Sequence, residues 1–178
     1  MYNPISTVTN FAYILLGALV VPDILGFALI IVGLCSAGFH ALRTDYWHKG
    51  DIVAIYYLFA MIAGHLWLGD TGTIIGFIIG TVGHWSHREY SRYSTVIIGS
   101  LGLLAHGGYW YAYSFTEMLI PLAWFLVALG FGQLASYLDP DEDSIVYDFF
   151  HGCWHVPSAI GIYHLITPPL KFLFGLIT

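Results

Sequence analysis

From Ser6 to Ile166 the chain is a succession of apolar stretches, each about as long as a bilayer is thick, joined by short polar turns. A helix needs about 20 apolar residues to cross the hydrocarbon layer. With 58% hydrophobic and only 9% charged residues, the chain lies far from soluble domains, in which roughly a quarter of residues are charged. Its 178 residues accommodate seven such spans only if the loops stay short. That leaves a single domain, residues 1–178, and no room for a second. The expected fold class is all-α: a polytopic membrane protein built as a seven-transmembrane-helix bundle with short loops.

Turn residues place the spans. Asn3-Pro4-Ile5-Ser6 starts the first, about Ser6 to Val21, and Pro22-Asp23 closes it. The second runs from about Ile24 to Leu42. The polar connection RTDYWHKG then leads to Asp51 at the mouth of the third, about Asp51 to Leu68. Gly69-Asp70-Thr71-Gly72 turns the chain into a glycine-rich fourth span ending near Trp85. There Gly76, Gly80 and Gly83 suit close helix packing in a membrane. The fifth span covers about Ser94 to Tyr113, the sixth Thr116 to Leu138 and the seventh Ile145 to Ile166, which Pro168-Pro169 terminates. No basic region opens the chain and no small-residue cleavage site follows the first apolar run, so the first segment is read as retained.

Charge narrows the remaining options. Arg43, Lys49, Arg88 and Arg92 fall in the loops after spans two and four, and Lys171 falls on the other side. The positive-inside rule then puts the N-terminus and the loops after spans two, four and six in the cytoplasm. Five Lys+Arg and a net charge of −6 exclude a nucleic-acid partner. Cys35 and Cys153 lie inside apolar helices and read as small buried hydrophobes rather than a disulfide pair.

The chemistry centres on His151-Gly-Cys-Trp-His155 in the seventh span. Two histidines four apart stand on one helical face, and an ionisable side chain inside a membrane span needs a partner. His40 near the end of span two, Ser36 one turn before it, and Asp51 opening span three belong to the same half of the bundle. Three histidines plus a water form a tetrahedral zinc site with one open position. Zinc would bring the pKa of that water to about 7, Asp51 would take or relay the proton, and Ser36 would donate to the developing oxyanion. One strain remains. If span two stops at Leu42, His40 is some two turns shallower than His155, so span two must run past Arg43 or span seven must tilt. Simpler readings stay open for each residue: histidines bonded to neighbouring helices, Ser36 bonded back to its own helix, Asp51 as an N-cap.

Ser36-x-x-x-His40, Asp51 eleven residues later and His151-x-x-x-His155 in the last span together resemble the signature of the CREST membrane hydrolases. That superfamily includes alkaline ceramidases, Per1-type lipid remodelling proteins and adiponectin-receptor-like proteins. NPISTVTNFAYILLG and HGCWHVPSA are similar to the first and last helices of the alkaline ceramidases. The resemblance implies a seven-helix zinc hydrolase cleaving an amide bond in a lipid such as ceramide. His40, His151 and His155 would be the zinc ligands, Ser36 the oxyanion-supporting serine and Asp51 the proton-transferring acid. Eukaryotic members carry an acidic calcium-binding stretch before the first helix, whereas nothing acidic precedes Asp23 here.

Asp148, one turn before His151, is a candidate second-shell partner for a ligand histidine. His84, His87 and Glu89 form a second cluster in the basic loop, read as a wet interface rather than a metal site. His106, mid-span, has no visible partner. Two rivals compete with a lipid hydrolase: a non-catalytic zinc-containing lipid receptor or sensor of the same fold, and a haem-binding electron carrier using paired histidines. The expected partners are the bilayer and a ceramide-like or other acyl amide or ester lipid.

Overall fold

A computed structural model describes the backbone of residues 3–86, 100, 102, 104, 105, 107, 108, 115–139 and 144–167, and the side chains of all these except 82–86, 115 and 116. Every described element is an α-helix: α1 (Pro4–Thr9), α2 (Phe11–Val20), α3 (Ile24–Leu42), α4 (Asp45–Ser86), α5 (Phe115–Leu138) and α6 (Ile145–Ile166). The described residues between 100 and 108 are helical as well. Three helical stretches are long and apolar enough to cross a membrane: Ile24–Leu42, Asp45–Thr81 and Glu117–Leu138. Asp148 and three histidines lower the hydropathy of α6, and Pro4–Val20 is shorter than the others.

The protein buries an apolar core that includes Leu25, Leu29, Leu58, Ile62 and Leu165, yet it also exposes large apolar residues and buries polar ones. Leu15, Leu19, Ile31, Ile78 and Leu126 are more than half exposed, while Asn3, Ser6, Asn10, Ser36, His40, Asp51, Asp148 and His155 are buried. Hydrocarbon around the bundle does not oppose exposed leucine, so helix association relies on close packing and buried hydrogen bonds.

Three boundaries differ from the sequence expectation. The first span divides into α1 and α2 at Asn10, whose backbone stays in the α-region at φ −64° and ψ −18°; both its side-chain Nδ2–H and its backbone N–H donate to the Ser6 carbonyl, at 2.8 and 3.3 Å. The polar connection RTDYWHKG is mostly helix, since α4 begins at Asp45 and only Arg43 and Thr44 lie outside. Arg43 ends α3 in the left-handed region with φ 50°. Asp51 is therefore well inside a helix and is not an N-cap.

The third difference is at the Gly69 turn. The reversal is made by Gly69 alone, at φ 62° and ψ −146°, a conformation open essentially only to glycine. Helix resumes at Asp70. The two arms of α4 then run antiparallel in backbone contact: a methyl group built on Gly64 would lie 2.0 Å from the Gly72 carbonyl oxygen, and one on Gly76 would lie 2.2 Å from that of Ala60. The sixth span, described as Phe115–Leu138, and the seventh, Ile145–Ile166, lie where expected. Ser144 caps α6 by accepting from the Tyr147 N–H at 3.1 Å. Most of the fifth span, the Lys171 tail and the His84, His87, Glu89 and His106 side chains lie outside the described residues.

One short helix organises the interior. α1 touches both α3 and α6. The N–H of Asn3 donates to the His40 carbonyl at 3.2 Å, and those of Ile5 and Ser6 donate to the two carboxylate oxygens of Asp148, each at 2.9 Å. The Ser6 hydroxyl donates to the Asp148 carbonyl at 3.2 Å. The first helix thus bridges the C-terminal end of α3 and the N-terminal half of α6.

Candidate metal centre

His40, one turn past Ser36 on α3, meets His151 and His155 of α6. Their ring centroids form a nearly equilateral triangle with sides of 4.9, 5.1 and 5.0 Å. One nitrogen from each ring lies within 4.8 Å of the others. A tetrahedral ion with Zn–N bonds of 2.0–2.1 Å needs its nitrogens about 3.3 Å apart, so the rings would have to turn inward to meet one. His40 and His155 are 3% and 4% exposed, and His151 is half-buried.

The donor chemistry fits a metal. The His40 Nδ1 atom is buried with no hydrogen-bond partner, and an unsatisfied polar atom in such a place carries a desolvation penalty of about 1–3 kcal/mol. A shared ion would recruit the three imidazoles as ligands in a place where ordinary hydrogen bonding leaves one of them short. His151 is held flat between Tyr147 and Trp154, stacked at 20° and 17° to their planes with centroids 5.0 and 6.1 Å away. Residues i−4 and i+3 on the same helix therefore fix its orientation.

α3 does stop at Leu42, yet the His40 ring is as close to His151 as to His155. The expected mismatch of depth is absent because α1 ties the His40 carbonyl to the same helix turn that Asp148 anchors on α6. The Ser36 and Asp51 side chains are also brought near each other. The Asp51 Oδ1 atom is buried with no hydrogen-bond partner.

Asp148 does not do what the sequence suggested. Its two oxygens accept from backbone N–H groups of α1 and not from a histidine. At 2% exposure it is a structural anchor: two adjacent N–H groups at the start of a helix match the spacing of a carboxylate. Thr9 is instead the residue hydrogen-bonded to a histidine of the triad, its Oγ1 3.0 Å from His155 Nδ1. Tyr13 stands edge-on to His155 at 6.3 Å and is hydrogen-bonded to Ser158. Sequence reasoning missed Asn3, Thr9 and Tyr13. Their trace is visible in retrospect: Asn3, Ser6, Asn10 and Tyr13 recur at helical spacing along a segment otherwise apolar, and all four are buried.

No protein-family model, curated protein or solved structure matches this chain.

Proposed function

We propose that the protein is a seven-helix membrane-embedded hydrolase that uses zinc to cleave an amide bond of a lipid, in the manner of the CREST family that its motifs resemble. The observation that carries this reading is the closed triangle of His40, His151 and His155 in the interior, with Ser36 one turn before His40 on α3 and the Asp51 side chain of α4 near Ser36. Three imidazoles are the protein donor set of many catalytic zinc sites, whereas structural zinc sites are closed by four protein ligands. Zinc, when bound, supplies a water acidic enough to act as nucleophile near pH 7.

The remaining work falls to the chain. Asp51, inside a helix and short of hydrogen-bond partners on Oδ1, has a free position to accept a proton and pass it to the leaving amine. Ser36, beside this carboxyl group, has a hydroxyl to turn toward an oxyanion. The exposed apolar surface admits a substrate whose acyl chain lies in the bilayer. The two arms of α4 and helices α3 and α5, with the first, fifth and last apolar segments, supply the seven spans. The loop charges favour a cytoplasmic N-terminal end and metal side. Haem fits less well, because His40 stands against both α6 histidines where a macrocycle would have to enter.

Elemental analysis of detergent-purified protein, joined to hydrolysis of a lipid panel with and without chelator, tests the proposal. Zinc near one per chain and chelator-sensitive release of fatty acid are expected. Stoichiometric zinc without turnover of any amide or ester lipid would favour a receptor or sensor instead. A metal-free protein that still hydrolyses lipid would end the zinc reading.

A further inference from the structure

Thr9 stands at an unusual junction. Its hydroxyl oxygen is 3.0 Å from His155 Nδ1, 2.9 Å from the Ile5 carbonyl oxygen and 3.2 Å from that of Ser6. A hydroxyl has a single proton and two lone pairs. Carbonyl oxygens can only accept, so the proton goes to the backbone of α1 and the lone pairs remain for the imidazole. An acceptor 3.0 Å from Nδ1 requires that nitrogen to carry the proton. We infer that Thr9 is a positioning residue that holds His155 as the Nδ1–H tautomer and so leaves Nε2 as the nitrogen turned to the other two histidines.

This inference rests on the metal reading only for its use, not for its geometry. Histidines that ligate metals commonly donate their other N–H to an oxygen, which fixes both tautomer and ring angle. Here the oxygen arrives on a separate, six-residue helix that has to be held in place. The Asp148 carboxylate does so from one side through Ile5 and Ser6. Gly152 does so from the other by letting α1 approach α6: a methyl group there would stand 2.8 Å from Ile5 Cγ2 and 3.3 Å from the Thr9 hydroxyl. His155 is buried at 4% exposure, and no other described side chain bonds its Nδ1. Without Thr9 the ring would be free to place its proton on Nε2, where it would point at the other ligands and block coordination.

The experiment uses full-length protein with histidines labelled in 15N, in detergent micelles, prepared metal-free and then titrated with zinc against a competing chelator. Long-range 1H–15N spectra of the metal-free wild type are expected to show His155 protonated on Nδ1 and unprotonated on Nε2. Thr9→Val, which keeps the shape and removes the hydroxyl, is expected to lose that single-tautomer signature and to bind zinc about 10- to 100-fold more weakly, while Thr9→Ser keeps both within about threefold of wild type. Finding the Nε2–H tautomer in metal-free wild type would overturn the inference without recourse to any variant. So would a Thr9→Val protein with unaltered tautomer and zinc affinity. The two readings fail separately: wild type that takes up no zinc refutes the metal site, and the tautomer spectrum still decides the role of Thr9.

Discussion

Replacing Gly64 by alanine tests the least expected part of the fold, the backbone-to-backbone contact within α4. The new methyl carbon would start 2.0 Å from the Gly72 carbonyl oxygen, and ordinary contacts begin at 3.4 Å. The two arms would have to part by about 1.4 Å, and overpacking of this kind costs typically 1–3 kcal/mol. The obstacle is main chain, which cannot rotate aside, so the upper part of that range applies. Against this stands the helix-propensity gain of about 1 kcal/mol from glycine to alanine, leaving a net loss of about 1–2 kcal/mol. Gly72→Ala meets Gly64 in the same way, at 1.9 Å. Gly130 in α5 has nothing within 4 Å of a built methyl, so Gly130→Ala keeps only the propensity gain and serves as the control. Reversible unfolding in mixed micelles should place Gly64→Ala and Gly72→Ala about 2–3 kcal/mol below Gly130→Ala. If all three variants unfold at the same midpoint, the arms are not in contact and the hairpin is wrong.

Four further outcomes are expected. Single alanine variants of His40, His151 or His155 should each come off the column with less than stoichiometric zinc, and full occupancy in any of them would remove that residue from the site. Asp51→Asn and Ser36→Ala should keep their zinc while losing roughly 10²–10⁴-fold and 10²–10³-fold in lipid hydrolysis; zinc loss in parallel would mean that both residues are structural. Asp148→Ala strands two buried N–H groups and forfeits two bonds to a charged acceptor, a destabilisation of about 3–5 kcal/mol, with Asp148→Asn between it and wild type because one acceptor oxygen survives. Chelation should lower the unfolding midpoint of wild type, since a ligand held at about 1,000 times its Kd stabilises the native state by about 4 kcal/mol, and it should leave His155→Ala unmoved.

Much of the architecture is legible without coordinates because one physical variable, apolar run length, governs it. α3 and α6 end where the sequence places them, Leu42 before a polar stretch and Ile166 before two prolines. The helical spacing of His151 and His155 announces a shared face, and Ser36 and His40 announce another. What hydropathy does not report is which polar residues continue a helix. Asp45 to Gly50 read as loop by charge, yet they form the first turns of α4. Asp148 and Thr9 show the limit for the site. Both lie one helical turn or less from a conspicuous feature, but which of them bonds to His155 depends on where α1 docks, and that contact joins residues 146 apart in the chain.

That separation has a consequence for how the protein is made. The bonds that complete the centre link residues 142 to 146 positions apart, and the histidines themselves lie on α3 and α6. If the proposed metal is bound, the early helices would enter the membrane with a single histidine of the triad, too few to retain it. The other two would arrive only when α6 has been inserted and α1 has closed over it. Metal capture would then be the last event of assembly, and a chain stalled or misinserted along its middle would stay metal-free.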